Sequence, residues 1–372
     1  MQVLHFFKTS IADGAGGTEH VMDTLARGTG RLGIDVDVLA LSSNPVPATT
    51  DMGGYCLHRS RLNLDVASTG MSLSVIPRFA EMARRADLVH YHFPWPFMDL
   101  VHFLSRVKKP SVVTYHSDIV RQRGLLRLYR PLMNRFLADV THIVATSPNY
   151  LETSAVLADL RAKTSVIPIG LNRSDYPDAE AGGGAEWRQR FGPRFFLFVG
   201  VLRYYKGLHI LLQAAQGTGY PVVIVGAGPT EGELKAEAAE LGLNHVHFLG
   251  YVSDADKAAL LAASYCVVFP SHLRSEAFGV SLLEGAVYGK PMISSEIGTG
   301  TTFVNIAGET GMVVPPADPG ALRQAMRHLW EHPDQAAEMG HRAQARYLSH
   351  FTADRMCQSY ADLYRRLVES RG

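Results

Sequence analysis

Cys266-Val-Val-Phe269-Pro-Ser271-His-Leu-Arg-Ser-Glu276-Ala-Phe-Gly-Val-Ser-Leu-Leu-Glu284-Gly-Ala-Val-Tyr-Gly289-Lys-Pro291-Met-Ile-Ser294 holds a strand, a loop, a helix and a second strand in one short stretch. Cys266–Phe269 is a brief apolar run stopped by proline, the pattern of a strand buried on both faces. The segment after Gly279 reads as a helix ended by Gly289 and Pro291. Met292–Ser294 then resumes the apolar pattern. Strands joined through a helix run parallel, so this stretch commits the chain to an α/β architecture.

The same alternation extends upstream. Strands are expected at Phe195–Val199, Val222–Val225 and Val246–Leu249. In the first half they are expected at Val3–Phe7, Asp35–Leu41, Leu88–Tyr91, Ser111–Tyr115, His142–Thr146 and Thr164–Ile167. Helical patterns such as Thr18–Leu32 and Leu125–Leu137 fall between them. Leu171–Pro193, with Ala181-Gly-Gly-Gly184, reads as a linker. The last fifty residues are mostly helical and close with Thr352–Val368, whose apolar positions recur at three and four. A chain of 372 residues exceeds one ordinary core and suits two domains. The boundaries expected are 1–171, 172–353 and a final helix, 354–372.

The net charge of +1 argues against nucleic acid as a partner. Cys56, Cys266 and Cys357 are odd in number and far apart, so neither a disulfide framework nor a zinc set is expected, and the cytosol is the natural compartment. The N-terminus lacks the basic leader and apolar length of a signal peptide. No run approaches the roughly 18 apolar residues of a membrane span.

Candidate chemistry sits at strand ends. Glu276 and Glu284 are eight apart, about 80° around a helix, and so do not share a face. The spacing makes sense if Glu276 lies in the loop and Glu284 in the early turns of the helix. The amides around Phe278, Gly279, Val280 and Ser281 then form an anion site at the helix N-terminus. A phosphate would sit there, with a carboxylate on either side for sugar hydroxyls. In Val199-Gly-Val-Leu-Arg203-Tyr-Tyr-Lys206-Gly207, two cations three residues apart follow another strand and can grip a diphosphate. Gly14-Ala-Gly16-Gly17-Thr-Glu19 opens the first helix, as a backbone approach to an anion or as a plain tight turn. Val225-Gly226-Ala-Gly228-Pro229 fails as a dinucleotide fingerprint, because Glu231 stands where the third glycine belongs; it reads as a mononucleotide contact, and NAD is rejected.

His116 ends the strand Ser111–Tyr115. His90 and His92 alternate on one face, without a third metal ligand nearby in the sequence. His92 and Trp95 are the acceptor candidates, Trp95 either as a flat platform for a sugar or as a core side chain. The pairs Asp35/Asp37 and Asp254/Asp256 are better explained structurally, so no divalent ion and no cofactor are expected. Arg121, Arg123, Arg127, Arg130 and Arg135 alternate with Leu125, Leu126, Leu128, Leu132, Met133 and Phe136. Such a helix either lies on an anionic membrane surface or packs on its domain with solvated arginines. Residues 1–171 hold 18 Lys+Arg against 14 Asp+Glu, which favours the first reading.

Glu276 and Glu284 with seven residues between them, the Gly…Lys206-Gly207 loop, the Gly16-Gly17 loop and His116 together resemble glycosyltransferase family 4. A narrower likeness runs through Val3-Leu-His-Phe-Phe7, His90-Tyr-His-Phe-Pro-Trp-Pro, Gly200–Gly207, Ser271–Gly285 and Ser294–Thr301. These stretches look like bacterial O-antigen mannosyl- and rhamnosyltransferases. The resemblance implies a GT-B fold, two Rossmann-like domains facing across a cleft, with the C-terminal helix crossing back to the first domain. The first domain would bind a glycan or lipid-linked glycan acceptor, the second a nucleotide diphosphate sugar, GDP-mannose or GDP-rhamnose. It implies retention at the anomeric carbon without metal, at the inner face of the cytoplasmic membrane. Glu276 would hold hydroxyls of the transferred hexose and Glu284 those of the ribose. Arg203 and Lys206 would hold the diphosphate, the Gly17 amide would meet phosphate, His116 would contact the donor sugar, and Tyr251 and Val252 would border the base. The family commonly places its arginine directly after the glycine, where this chain has Val201, so Arg203 must substitute from two residues on.

Two competing readings remain: a sugar-nucleotide epimerase of the same fold, and a nucleotide-sugar-binding subunit that requires a partner.

Overall fold

The computed structural model describes residues 1–14, 16–66, 69–119, 123–177 and 184–370. The chain forms two compact units, one of Met1–Gly170 with Ala353–Gly372 and one of Leu171–Thr352.

The strands of unit 1 are β1 (Gln2–Phe7), β2 (Asp35–Ser42), β3 (Thr49–Asp51), β4 (Cys56–Arg61), β5 (Leu64–Val66), β6 (Thr69–Met71), β7 (Leu88–Phe93), β8 (Ser111–Tyr115), β9 (His142–Ala145) and β10 (Thr164–Val166). Eight of them form one sheet in the order β10-β9-β8-β7-β1-β2-β4-β3, parallel except where β3 meets β4. β5 and β6 form a separate antiparallel pair. β1 and β7 are buried on both faces, as expected of strands inside a parallel sheet. His5 on β1 pairs with His90 on β7, and His92 pairs with Thr114 on β8. Side chains two apart share a face, so His5, His90, His92 and Thr114 line one side of the sheet.

Helix Ala353–Glu369 closes that side. Met356, Cys357, Tyr360, Ala361 and Tyr364 recur at helical spacing and are buried. It packs so closely on helix Gly17–Arg31 that a Cβ on Gly28 would stand 2.2 Å from Cys357 Sγ. The expected return of the last helix to the first unit is therefore observed.

Unit 2 holds β11 (Phe196–Val199), β12 (Val222–Val225), β13 (Val246–Gly250), β14 (Cys266–Phe269), β15 (Met292–Ser295) and β16 (Gly311–Val314). Their order, β13-β12-β11-β14-β15-β16, is all parallel and is the 3-2-1-4-5-6 arrangement of a doubly wound sheet. Ser253 and Asp318 cap helices Asp254–Ala263 and Pro319–Glu331 by accepting from amides three residues on.

Expected strands and observed strands differ by one or two residues at their ends. β3 to β6 and β16 have no counterpart in the expectation, since they are short and either polar or glycine-led. The stretch expected as a plain linker forms helix Gly184–Phe191, whose Phe191 is buried with its ring 4.9 Å from that of His247. Residues 178–183 of that stretch lie outside the described residues.

Candidate active site

Strand order in unit 2 reverses between β11 and β14, and the loops leaving their carboxyl ends diverge there. That crevice is where an open parallel sheet takes its ligand. The loop after β11 carries Lys206 on a short 3-10 turn, and the loop after β14 carries Glu276. The Lys206 ammonium pairs with the Glu276 carboxylate, and Ser271 Oγ donates to the same oxygen at 3.4 Å. Glu276 is only 8% exposed, and the Lys206 ammonium lies 4.6 Å from the centre of the Phe269 ring. Residue 207 must be glycine for the two loops to meet. It has φ 72°, and a Cβ there would stand 2.1 Å from the Pro270 carbonyl oxygen.

Glu284 lies in the helix Val280–Val287, buried like Glu276. One of its oxygens accepts from the Tyr176 hydroxyl at 3.1 Å and faces the Lys257 ammonium at 3.1 Å. Burial would lower the Lys257 pKa, but Glu284 and the nearby Asp254 outweigh it, and the net shift is upward. A buried carboxylate without a partner is costly, and here each of the two has its own lysine. Between them Gly279, in the left-handed region, starts the helix, with Phe278 tucked beneath and Val280 half-buried. The arrangement combines a helix N-terminus and a lysine for an anion with two acids for hydroxyl groups.

The neighbouring strand ends complete this rim. The loop after β12 lies against the loop after β11: a Cβ on Gly228 would meet Leu202 backbone at 2.3 Å. Tyr251, just past β13, is 84% exposed, and Val252 is half-buried. Arg203 is exposed and lies along a groove with Tyr204, Leu208, His209, Thr230 and Glu233. The structure groups Lys206 with Glu276 and leaves Arg203 among these other side chains.

In unit 1 His116, half-buried, follows β8, and its Nε2 is 3.1 Å from His92 Nδ1. Burial depresses its pKa to about 4 and that of His5 to about 3. Burial and the neighbouring imidazoles hold His90 and His92 well below the ordinary value. His92 is fully buried in this cluster, so its ring offers an acceptor no open face. Trp95 is 1% exposed, and its indole N–H donates to the Gly70 carbonyl at 2.9 Å. Of the two expectations for Trp95, sugar platform or core side chain, the burial fits the second: Phe6 and Phe7 of β1 and Phe97 of helix Pro96–Leu104 pack around its ring.

Gly17 opens its helix with clear space where a Cβ would be. The Glu19 carboxylate folds back beside Gly16, which occupies part of the anion-favouring helix end. Burial raises the Glu19 pKa, against its own amide hydrogen bond and Lys8.

Among the described residues, two groups of side chains place ligand-type atoms within 4.8 Å of one another, His5–His90–His92 and Asp37–Cys56–His58. The third imidazole absent from the local sequence thus arrives from β1. His90 already spends both nitrogens on Tyr364 and Thr114 hydroxyls, however, and Asp37 takes hydrogen bonds from His58 and Gln2. Asp254 pairs with Lys257, and Asp256 accepts from Ser253, as expected of a helix start.

On helix Arg123–Asp139, Leu128 is 81% exposed beside exposed Arg127 and Arg130, and Arg135 lies over the Phe103 ring. Arg121 and the side chains of Arg123 and Leu125 lie outside the described residues. Among the described residues no helix is long and apolar enough to cross a membrane.

Residues 15–175 match the family described as Glycosyltransferase Family 4, and residues 185–346 match Glycosyl transferases group 1. The chain is 65% identical over 353 residues to the D-rhamnosyltransferase WbpZ of Pseudomonas aeruginosa, covering 95% of this chain and 93% of that one. The chain belongs to glycosyltransferase family 4. It is also 46% identical, over the full length of both, to the O-antigen chain mannosyltransferase C of Escherichia coli. Among solved structures, sucrose-phosphate synthase from Thermosynechococcus elongatus superposes with a TM-score of 0.81 at 21% identity, covering 99% of both chains. Anabaena HepE in complex with UDP and glucose gives 0.78 at 20%, covering 98% and 100%. These likenesses show the GT-B fold, two Rossmann-like domains.

Three side chains of this glycosyltransferase escape a reading of the sequence. Tyr176 and Lys257 both reach Glu284 from segments with no motif of their own. His5 could have been found from alternation: it lies two residues before Phe7 at the end of the first strand, opposite the His90 register position.

Proposed function

We propose that this glycosyltransferase moves mannose or its 6-deoxy relative from a GDP-sugar to a growing, polyprenyl-diphosphate-linked O-antigen glycan. The single observation that carries the reading is the Lys206–Glu276 pair at the reversal of strand order, beside the helix that holds Glu284. In this reading the diphosphate takes the place of Glu276 as the partner of the Lys206 ammonium and receives the amides at Val280. Glu276 is then free to hold hydroxyls of the hexose, and Glu284, steadied by Tyr176 and Lys257, holds the ribose. Phe278 and Gly279 shape the helix start, while Gly228, Tyr251 and Val252 border the base. His116 and the Gly17 amide are assigned to the donor's sugar and phosphate on the family resemblance alone. Arg203, extended from its loop, would reach the diphosphate only by turning out of its groove.

Chemistry follows from the charge. As the glycosidic bond breaks, negative charge grows on the leaving diphosphate, and Lys206 with the helix amides stabilises it without a metal ion. The acceptor hydroxyl enters on the face the diphosphate leaves, and a phosphate oxygen takes its proton, which retains the anomeric configuration. The arginines and Leu128 of helix Arg123–Asp139 rest on the anionic membrane that carries the acceptor.

Support for the sugar comes from the relatives, whose names specify D-rhamnose and mannose. A thermal-shift screen against GDP, UDP, ADP and dTDP tests the base. A nucleotide at 100 times its Kd stabilises the fold by about 2.7 kcal/mol, so GDP alone should raise the melting temperature by several degrees. A shift with UDP and none with GDP would overturn the donor assignment. Turnover of GDP-mannose with a lipid-linked acceptor, followed by NMR of the anomeric proton in the presence of EDTA, tests retention and metal independence together. Epimerised sugar formed from the donor alone would replace the transferase reading.

A further inference from the structure

The strand order of unit 1 reverses between β1 and β7, and at that point three imidazoles stand in line on one face of the sheet. His5 Nδ1 is 3.1 Å from His92 Nε2, and His92 Nδ1 is 3.1 Å from His116 Nε2. His5 and His92 are fully buried and His116 is half-buried. At the inner end, His5 Nε2 has no hydrogen-bond partner among the described residues. Burial keeps all three rings neutral near pH 7, so each carries a single N–H. His90 lies beside the line but does not compete for it, with its nitrogens held at 2.6 Å by Tyr364 and 2.7 Å by Thr114.

A neutral imidazole donates from one nitrogen and accepts at the other. Two hydrogen bonds that share His92 therefore allow only two proton arrangements. In the first, His5 Nδ1–H donates to His92 Nε2, His92 Nδ1–H donates to His116 Nε2, and His116 keeps its proton on Nδ1. In the second every bond is reversed, and His5 must carry an N–H at the sealed Nε2 with nothing to accept it. A sealed N–H without an acceptor is a rarer and costlier defect than an unused lone pair.

We infer that the acceptor-free end at His5, relayed by the positioning residue His92, locks His116 in its Nδ1–H tautomer, so that His116 offers the bound sugar nucleotide an N–H donor and not a lone pair. The functional half of this inference rests on the assignment of His116 to the donor sugar. The tautomer itself does not.

Long-range 1H–15N spectra of perdeuterated protein labelled with 15N-histidine read the tautomer directly, with His116→Asn identifying the His116 signals. Nδ1–H at His116 is expected in the wild type and also in His5→Phe, which leaves His92 Nε2 without an acceptor in the same way. His5→Asn, whose side-chain oxygen can accept from His92 Nε2, should admit the Nε2–H tautomer of His116 as well. With GDP-mannose as donor and activity corrected to the folded fraction, His5→Asn should lose kcat/KM in proportion to its Nε2–H fraction, and His5→Phe should keep it. Nε2–H at His116 in the wild type or in His5→Phe overturns the inference, as does a His5→Asn enzyme that holds Nδ1–H alone, or a stoichiometric transition metal bound through His5. Unchanged turnover in His116→Ala would instead remove the donor-sugar assignment, and the spectrum alone would then decide the tautomer.

Discussion

Mild acid should unfold unit 1 while unit 2 is still intact. His5, His90 and His92, buried, and His116, half-buried, are neutral in the fold, and among the described residues no carboxylate is hydrogen-bonded to any of these four rings. Once the chain unfolds, each is free to take a proton near pH 6.5. The unfolded state then binds more protons than the native one, so stability falls as pH drops below 6.5, by about 1.4 kcal/mol per pH unit for each such histidine. The fall continues until the native pKa is reached, about 3 for His5 and about 4 for His116. At pH 5 each of these two has cost about 2 kcal/mol relative to pH 8, and His90 and His92 add in the same direction. The first two alone are a substantial part of a typical stability of about 5–15 kcal/mol.

The assay uses tryptophan fluorescence. Trp95 is buried in unit 1, whereas Trp187 and Trp330 belong to unit 2, so a Trp187→Phe/Trp330→Phe protein reports on unit 1 alone. Its urea midpoint should fall steadily from pH 7.5 to pH 5. Adding His5→Phe should make that pH dependence shallower by one histidine's share. A midpoint flat across that range, or a slope untouched by His5→Phe, would refute the reasoning.

Lys206→Ala should lower turnover of the donor by about 10²- to 10³-fold, the usual consequence of losing one electrostatic donor to a developing charge; near-normal turnover in a folded variant would remove Lys206 from the mechanism. Gly228→Ala forces a Cβ into the Leu202 backbone, so it should destabilise unit 2 by about 1–3 kcal/mol, seen as a lower urea midpoint, and should weaken nucleotide binding by displacing the Lys206 loop. Lys257→Met leaves the buried Glu284 carboxylate hydrogen-bonded to Tyr176 but without its cation, and a cost of about 1–3 kcal/mol is expected, together with weaker binding of GDP in calorimetry.

Local rules carried far in this chain where one element decides the outcome. Cys266–Phe269 had to be a buried strand, and Gly289-Lys-Pro291 had to end the helix that follows. The Lys206–Glu276 encounter was legible only as two loops leaving two strands, because strand order is a property of the whole sheet. Lys257 and Tyr176 carry no signal: a lysine on a helix face and a lone tyrosine look the same whether or not a carboxylate waits for them. For Trp95 the sequence left platform and core open, because aromatic rings that bury it come from β1, far away in the chain. β3, at the sheet edge, and β4 beside it carry few apolar residues, so neither shows the apolar run that marks an inner strand.

Unit 1 is assembled from chain on both sides of unit 2, with Met1–Gly170 before it and helix Ala353–Glu369 after it. All of Leu171–Thr352 must leave the ribosome in between, a wait of roughly ten to forty seconds at ordinary rates of elongation. Until then the face lined by His5, His90 and His92 has no Tyr360 or Tyr364 to shield it, and a sheet face left bare in this way is open to association with other chains. A ribosome that stalls late in the message would release an enzyme whose first half has never been finished.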